Sequence, residues 1–168
     1  MDLNIRSDFC DAVSRAFYAR SNASVLYERR RPICGSDVEI TWIDPLGLYL
    51  PVTPAEAMIA QVDFEPRNSI DAYLKGVVFT YTDANGGLIY GPTEMLPLYA
   101  VVPGIVHPDT IPSVSVMNVY IPRTDTIYAE LVARNLHGAN AKVDFIFTDQ
   151  YEMNTLDTAS AWFGFYLE

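Results

Sequence analysis

The chain has 168 residues, half of them hydrophobic, and a net charge of -10. This length and apolar content exclude a disordered chain and fit one domain with its own core. The acidic balance argues against wholesale nucleic-acid binding, because phosphate contacts need clustered Lys and Arg to release counterions.

The charge is unevenly placed. Residues 1–31 carry Arg6, Arg15, Arg20, Arg29, Arg30 and Arg31 against Asp2, Asp8, Asp11 and Glu28, giving +2. The remainder holds five bases against 17 acids, giving -12. The N-terminus lacks a basic segment followed by an apolar one, and no run of 18 apolar residues is present, so a soluble protein made in the cytoplasm is expected. Ser7 is placed to cap a helix in which Phe9, Ala12, Val13, Ala16 and Phe17 share one stripe. Asp8 and Asp11 near its start, and Arg15 and Arg20 toward its end, suit the helix dipole. Cys10 and Cys34 are too few and too distant for a disulfide framework, and their redox state is open.

Val25 to Arg31 reads as an extended arm ending at Pro32, since proline disfavours helix in the residue before it. Arg29, Arg30 and Arg31 are candidate contacts for an anionic surface, with ordinary surface charge as the plain alternative. This gives an N-terminal helix and basic arm over residues 1–37 and a β-sandwich over 38–168.

In the second part, Val38, Ile40 and Trp42 alternate with Glu39 and Thr41; Asp44-Pro45-Leu46-Gly47 reads as a β-turn, and Leu48–Val52 returns as a hairpin partner. A strand is expected over Ala57–Phe64. Tyr73–Thr82 and Leu88–Tyr90 form a hairpin around Asp83-Ala84-Asn85-Gly86-Gly87. Leu98–Val102 and Val114–Ile121 are further strands. Period-two alternation then runs through Ile127, Ala129, Leu131 and Ala133 and again through Ala141, Val143, Phe145 and Phe147. The expectation is a central hairpin, Thr126–Thr148, on which the domain is built. About eight strands follow, the number in a single jelly roll. The C-terminal Ala161–Leu167 is apolar on both faces, so Trp162, Phe163, Phe165 and Tyr166 become candidate interface residues covered by a partner subunit or by the domain's own sheet.

Chemistry-bearing motifs are sparse. His107 and His137 are the only histidines, both in expected loops, and the closely spaced His with a strand carboxylate that a cupin-like metal centre needs is lacking; the G-x-S-x-G, phosphate-loop, G-x-G-x-x-G and H-E-x-x-H signatures are missing. The many carboxylates do not identify a glycosidase pair. Asp83, Asn85 and Gly86 begin like a calcium loop, but Leu88 stands where its glycine should, which leaves a plain turn. Asn22-Ala23-Ser24 matches a glycosylation sequon, discounted without a secretory signal. Trp42, Trp162 and the eleven tyrosines offer a sugar-stacking platform, so a carbohydrate- or receptor-binding module is the alternative function.

The layout of an N-terminal helix with Arg29–Arg31, strands from Val38 to Phe147 and an aromatic C-terminal strand resembles the single-jelly-roll major capsid proteins of tailless icosahedral phages with an internal membrane. That resemblance implies a non-enzymatic virion shell subunit, made in the host cytoplasm, which grips copies of itself and a second capsid protein through its termini and needs no cofactor. It also implies that Arg29, Arg30 and Arg31 lie toward the membrane or a partner, and that Trp162, Phe163, Phe165 and Tyr166 pack across a subunit boundary.

Overall fold

The computed structural model describes residues 19–22, 25–30, 35–50, 57–149 and 156–168. In chain order the strands are β1 (Ala19–Asn22), β2 (Val25–Arg30), β3 (Val38–Leu46), β4 (Tyr49–Leu50), β5 (Met58–Pro66), β6 (Ala72–Thr82), β7 (Leu88–Tyr90), β8 (Leu96–Val102) and β9 (Val114–Tyr120). Helix α1 (Thr124–Ala133) follows, then β10 (Gly138–Asp149) and β11 (Leu156–Leu167). An eight-stranded sheet runs β1-β2-β11-β10-β6-β7, with β4 added to β11 and β8 to β6; a three-stranded sheet runs β3-β5-β9. The two sheets pack face to face as an all-β sandwich.

The alternation through β10 holds. Ala141, Val143, Phe145 and Phe147 are all buried, while Lys142, Asp144 and Ile146 between them are partly exposed. Phe64 of β5 meets Phe145 and Phe147 edge-on, with centroids 5.1 and 5.2 Å apart. These contacts join the sheets, and such aromatic pairs add about 0.5–1.5 kcal/mol beyond their buried area. Tyr81, Phe163 and Phe165 extend the same core, with Phe165 edge-on to both of the others.

The central hairpin has different partners from those expected. Ile127–Arg134 is no strand; Thr124–Ala133 is α1, which buries Thr124, Ile127 and Leu131 and leaves Val132 exposed. Ala129, Leu131 and Ala133 satisfy a period of two, yet Ile127 and Leu131 also satisfy i, i+4. Ala, Glu, Leu and Arg in this stretch favour helix. An ion pair between Glu130 and Arg134 at i, i+4 supports it. The hairpin partner of β10 is β11, paired from Gly138↔Tyr166 to Thr148↔Leu156.

The C-terminal segment is therefore an interior strand. It pairs with β10 along one side; along the other it pairs with β2 antiparallel and with β4 in parallel. The expected hairpin of Val38–Ile43 with Leu48–Val52 is replaced, because β3 continues through Asp44-Pro45 to Leu46 and pairs with β5, while Tyr49 and Leu50 join β11. Residues 51–52 lie outside the described residues. The β6–β7 hairpin and the strands at 57–64, 98–102 and 114–121 are found with ends moved by a few residues.

Of the expected N-terminal helix, Phe9, Ala12, Val13, Ala16 and Phe17 lie outside the described residues, and Arg20 at its end is in β1. The extended arm is β2, paired with β11, so it continues the large sheet across the expected boundary at residue 37. Cys10, Arg31 and Cys34 lie outside the described residues.

Candidate functional site

The outward face of the small sheet is built by interruptions of its strands. In β3, Ile40 faces Phe64 and Trp42 faces the adjacent residue Asp63, so Thr41 is an extra residue, a β-bulge. Unbroken alternation from buried Val38 and Ile40 would turn Trp42 inward. The bulge turns it out, half exposed, and places Ile43 in the core. In β9, Asn118 adopts a left-handed φ of 55°, a conformation asparagine tolerates better than most side chains. It separates buried Val116 and Val119 and leaves Met117 and Tyr120 exposed.

The register sets these side chains in rows. Leu46, Met58 and Tyr120 form one; Asp44, Gln61 and Met117 the next; Trp42, Asp63 and Ser115 the third. Asp63 is held by two donors to Oδ1, Gln61 Nε2 at 2.8 Å and the Ser115 hydroxyl at 2.6 Å. Beyond it, Arg67 bridges Glu39 and Glu65. The face thus alternates aromatic or thioether groups with hydrogen-bond acceptors.

A second exposed surface follows β8, an edge strand of the large sheet. Residues 95–106 carry no charged side chain. Tyr99 is 77% exposed, Met95 and Val101 are about half exposed, and Val106 in the following loop is 82% exposed. The physical character of this edge is opposite to that of the small-sheet face: apolar and uncharged rather than interleaved.

A third grouping is internal. The Ser36 backbone N–H donates to Asp149 Oδ2 at 3.3 Å and its hydroxyl to Asp157 Oδ2 at 3.4 Å, with Asp37 buried beside them in sequence. These contacts tie the start of β3 to the ends of β10 and β11. Among the described residues no group of His, Cys, Asp and Glu is arranged to hold a metal ion. His107 bridges Thr110 within a loop, and the His137 carbonyl accepts the N–H of Leu167, so the two histidines serve separate segments. Asp83 Oδ1 accepts the N–H groups of Asn85 and Gly87, which uses that carboxylate to close the β6–β7 turn. No helix among the described residues is long and apolar enough to cross a membrane.

The residues singled out as an interface divide. Phe163 and Phe165 are buried in the chain's own core, covered by the sandwich rather than by a partner. Trp162 points to the other face of the large sheet, with Lys142 Nζ 5.6 Å from its ring centre, and Tyr166 is half exposed against Tyr49. Arg29 and Arg30 stand in β2 opposite Ala159 and Thr158. The rows around Trp42 and Asp63 were not foreseen. Adjacent Trp42-Ile43 was the available signal, because two successive large apolar residues in an alternating strand require a bulge or an exposed side chain.

No protein-family model matches the chain, and no curated protein matches it. Among solved structures it is similar to the crystal structure of a protein from Archaeoglobus fulgidus, at 8% identity over 92% of this chain and 94% of that one, with a TM-score of 0.34. A likeness this weak carries no argument about function.

Proposed function

We propose that the chain is a non-enzymatic structural subunit that assembles with copies of itself, and specifically a virion shell subunit. The observation that carries this reading is the edge strand β8. It is apolar, uncharged and open on one side among the described residues, with Tyr99 and Val101 projecting from it. Edge strands of this kind pair with other chains unless they are guarded, and the guards along β8 are Pro97 and a register shift at Leu98–Tyr99, which leave Val101 and the stretch after it open. The charge distribution favours the same place. Copies carrying -10 repel one another over most of their surface, so the uncharged stretch 95–106 is where two can approach at least electrostatic cost.

The shell reading requires only a sandwich. A jelly roll, with two Greek keys in two sheets, is its finer form, and the eight-to-three division of strands here does not require it. The remaining parts of the reading are an N-terminal helix ending before β1, a second shell protein as partner, and an anionic membrane met by Arg29, Arg30 and Arg31. No cofactor belongs to it.

Light scattering over a concentration series tests the assembly. The wild type should gain mass with concentration, more so in high salt, where repulsion is screened. Tyr99→Lys should hold it at the monomer mass. A wild type that stays monomeric at high concentration and high salt would overturn the reading.

A further inference from the structure

We propose that the outer face of the small sheet binds a neutral carbohydrate, with Trp42 stacking on a sugar ring and Asp63, Asp44 and Gln61 taking the hydroxyl hydrogen bonds. This goes beyond the shell reading and does not depend on it.

The backbone is the first ground. The β3–β5 ladder shifts register twice, at Thr41 in β3 and at Ala60 in β5, and Asn118 in β9 adopts a left-handed φ; at Thr41 and at Asn118 large side chains come to the same side. The bulge at Thr41 exchanges Trp42 for Ile43 in the core, so it is the indole that is turned half out to water beside the polar row.

The chemistry selects the ligand. Sugar rings have apolar C–H faces edged by hydroxyl donors, so they suit an indole placed beside a carboxylate. Trp42 and Asp63 are direct cross-strand neighbours, which puts their Cβ atoms about 4.5–5.5 Å apart. Ionised carboxylates only accept hydrogen bonds, and Gln61 and Ser115 occupy Oδ1 of Asp63, leaving Oδ2 without a partner among the described residues.

The charge excludes other occupants. Among the described residues, Glu39, Asp44, Asp63 and Glu65 stand on this face against Arg67 alone, so it repels anionic glycans and nucleic acid. A second copy would set these carboxylates against their own kind. Its central strand also presents Gln61, Asp63 and Glu65 where a protein interface would be depleted of charge. A neutral donor-rich ligand meets none of these penalties.

The test uses the full chain on an array of neutral plant, fungal and bacterial oligosaccharides, with sialylated and sulfated glycans and Arg-rich peptides printed beside them. Any neutral glycan that binds is then titrated in solution. The wild type should bind at least one neutral glycan, and Trp42→Ala should weaken that binding about tenfold or more, which corresponds to about 1.4 kcal/mol. Trp162→Phe should leave the affinity unchanged, and in that background the glycan should perturb the remaining emission from Trp42. Circular dichroism checks that each variant is folded; if Trp42→Ala is not, Trp42→Phe and the emission change decide. Binding to none of the neutral glycans, binding only to acidic glycans or basic peptides, or equal binding by Trp42→Ala would each overturn the proposal. A monomeric protein that binds through Trp42 would support it while removing the shell reading.

Discussion

Phe64 of the small sheet stands edge-on to Phe145 of the large one, with centroids 5.1 Å apart and planes at 75°. Both rings are fully buried, so the pair couples two sheets that share no backbone ladder between these strands. Phe145→Ala should cost about 3–5 kcal/mol in denaturant unfolding, a large part of a typical total of about 5–15 kcal/mol. Phe64→Ala should cost a similar amount. The double variant should be less unstable than the sum, since each substitution already removes the shared contact. A loss below about 1 kcal/mol for Phe145→Ala would contradict its place in the core.

Tyr81 provides a probe that depends on pH. Its buried hydroxyl donates to the carbonyl oxygen of Pro122 at 2.6 Å, anchoring β6 to the residues before α1. Burial first, then the neighbouring Tyr120 and Tyr90 hydroxyls, hold its ionisation far above the ordinary tyrosine value. The folded state therefore binds this proton more tightly than the unfolded state. The resulting stability is complete below the unfolded tyrosine value of about 10 and is lost progressively as pH rises beyond it. Tyr81→Phe should cost about 1–3 kcal/mol at neutral pH, by leaving the Pro122 carbonyl without its donor, and should lessen the decline in stability above pH of about 10. Unfolding curves at several alkaline pH values check this. An unchanged alkaline decline in the variant would show that Tyr81 does not carry it.

The sequence was most legible where one physical demand acted alone. Ala141, Val143, Phe145 and Phe147 face a core on one side only, so their alternation was sufficient, and Asp83-Ala84-Asn85-Gly86-Gly87 closed the turn its residues specify. Reading failed where two demands produce the same pattern. Ile127 and Leu131 fit a strand and a helix equally, and the short length of α1 gave little periodicity to separate them. Pro45 suggested a turn, yet β3 accommodates it where its register with β5 shifts, between Asp44 and Pro45. Trp42 was singled out for stacking, but its row with Asp63 and Ser115 was hidden for a related reason: a bulge leaves composition and local propensity unchanged and alters only the phase, visible solely in the adjacency of Trp42 and Ile43.

The C-terminal strand gives the clearest opposition between sequence and structure. Its apolar character on both faces suggested cover by a partner, so that truncation after Asp157 would leave a folded monomer. In the structure, β11 lies between β10 and the β2–β4 edge, and Tyr166 N–H and Leu167 N–H also donate to the carbonyls of Leu48 and His137. Removing residues 158–168 strips a ladder from each side and takes Phe163 and Phe165 out of the core. Two buried phenylalanines alone account for about 6–10 kcal/mol at about 3–5 kcal/mol each, comparable with the whole stability of a typical domain. The truncated chain should therefore lose its β-sheet circular dichroism and its cooperative unfolding transition. Tyr166→Ala, at a half-exposed position on the same strand, should keep both. A truncated chain that retains a cooperative transition would show that β11 is an appended strand and return the segment to the role of an intersubunit contact.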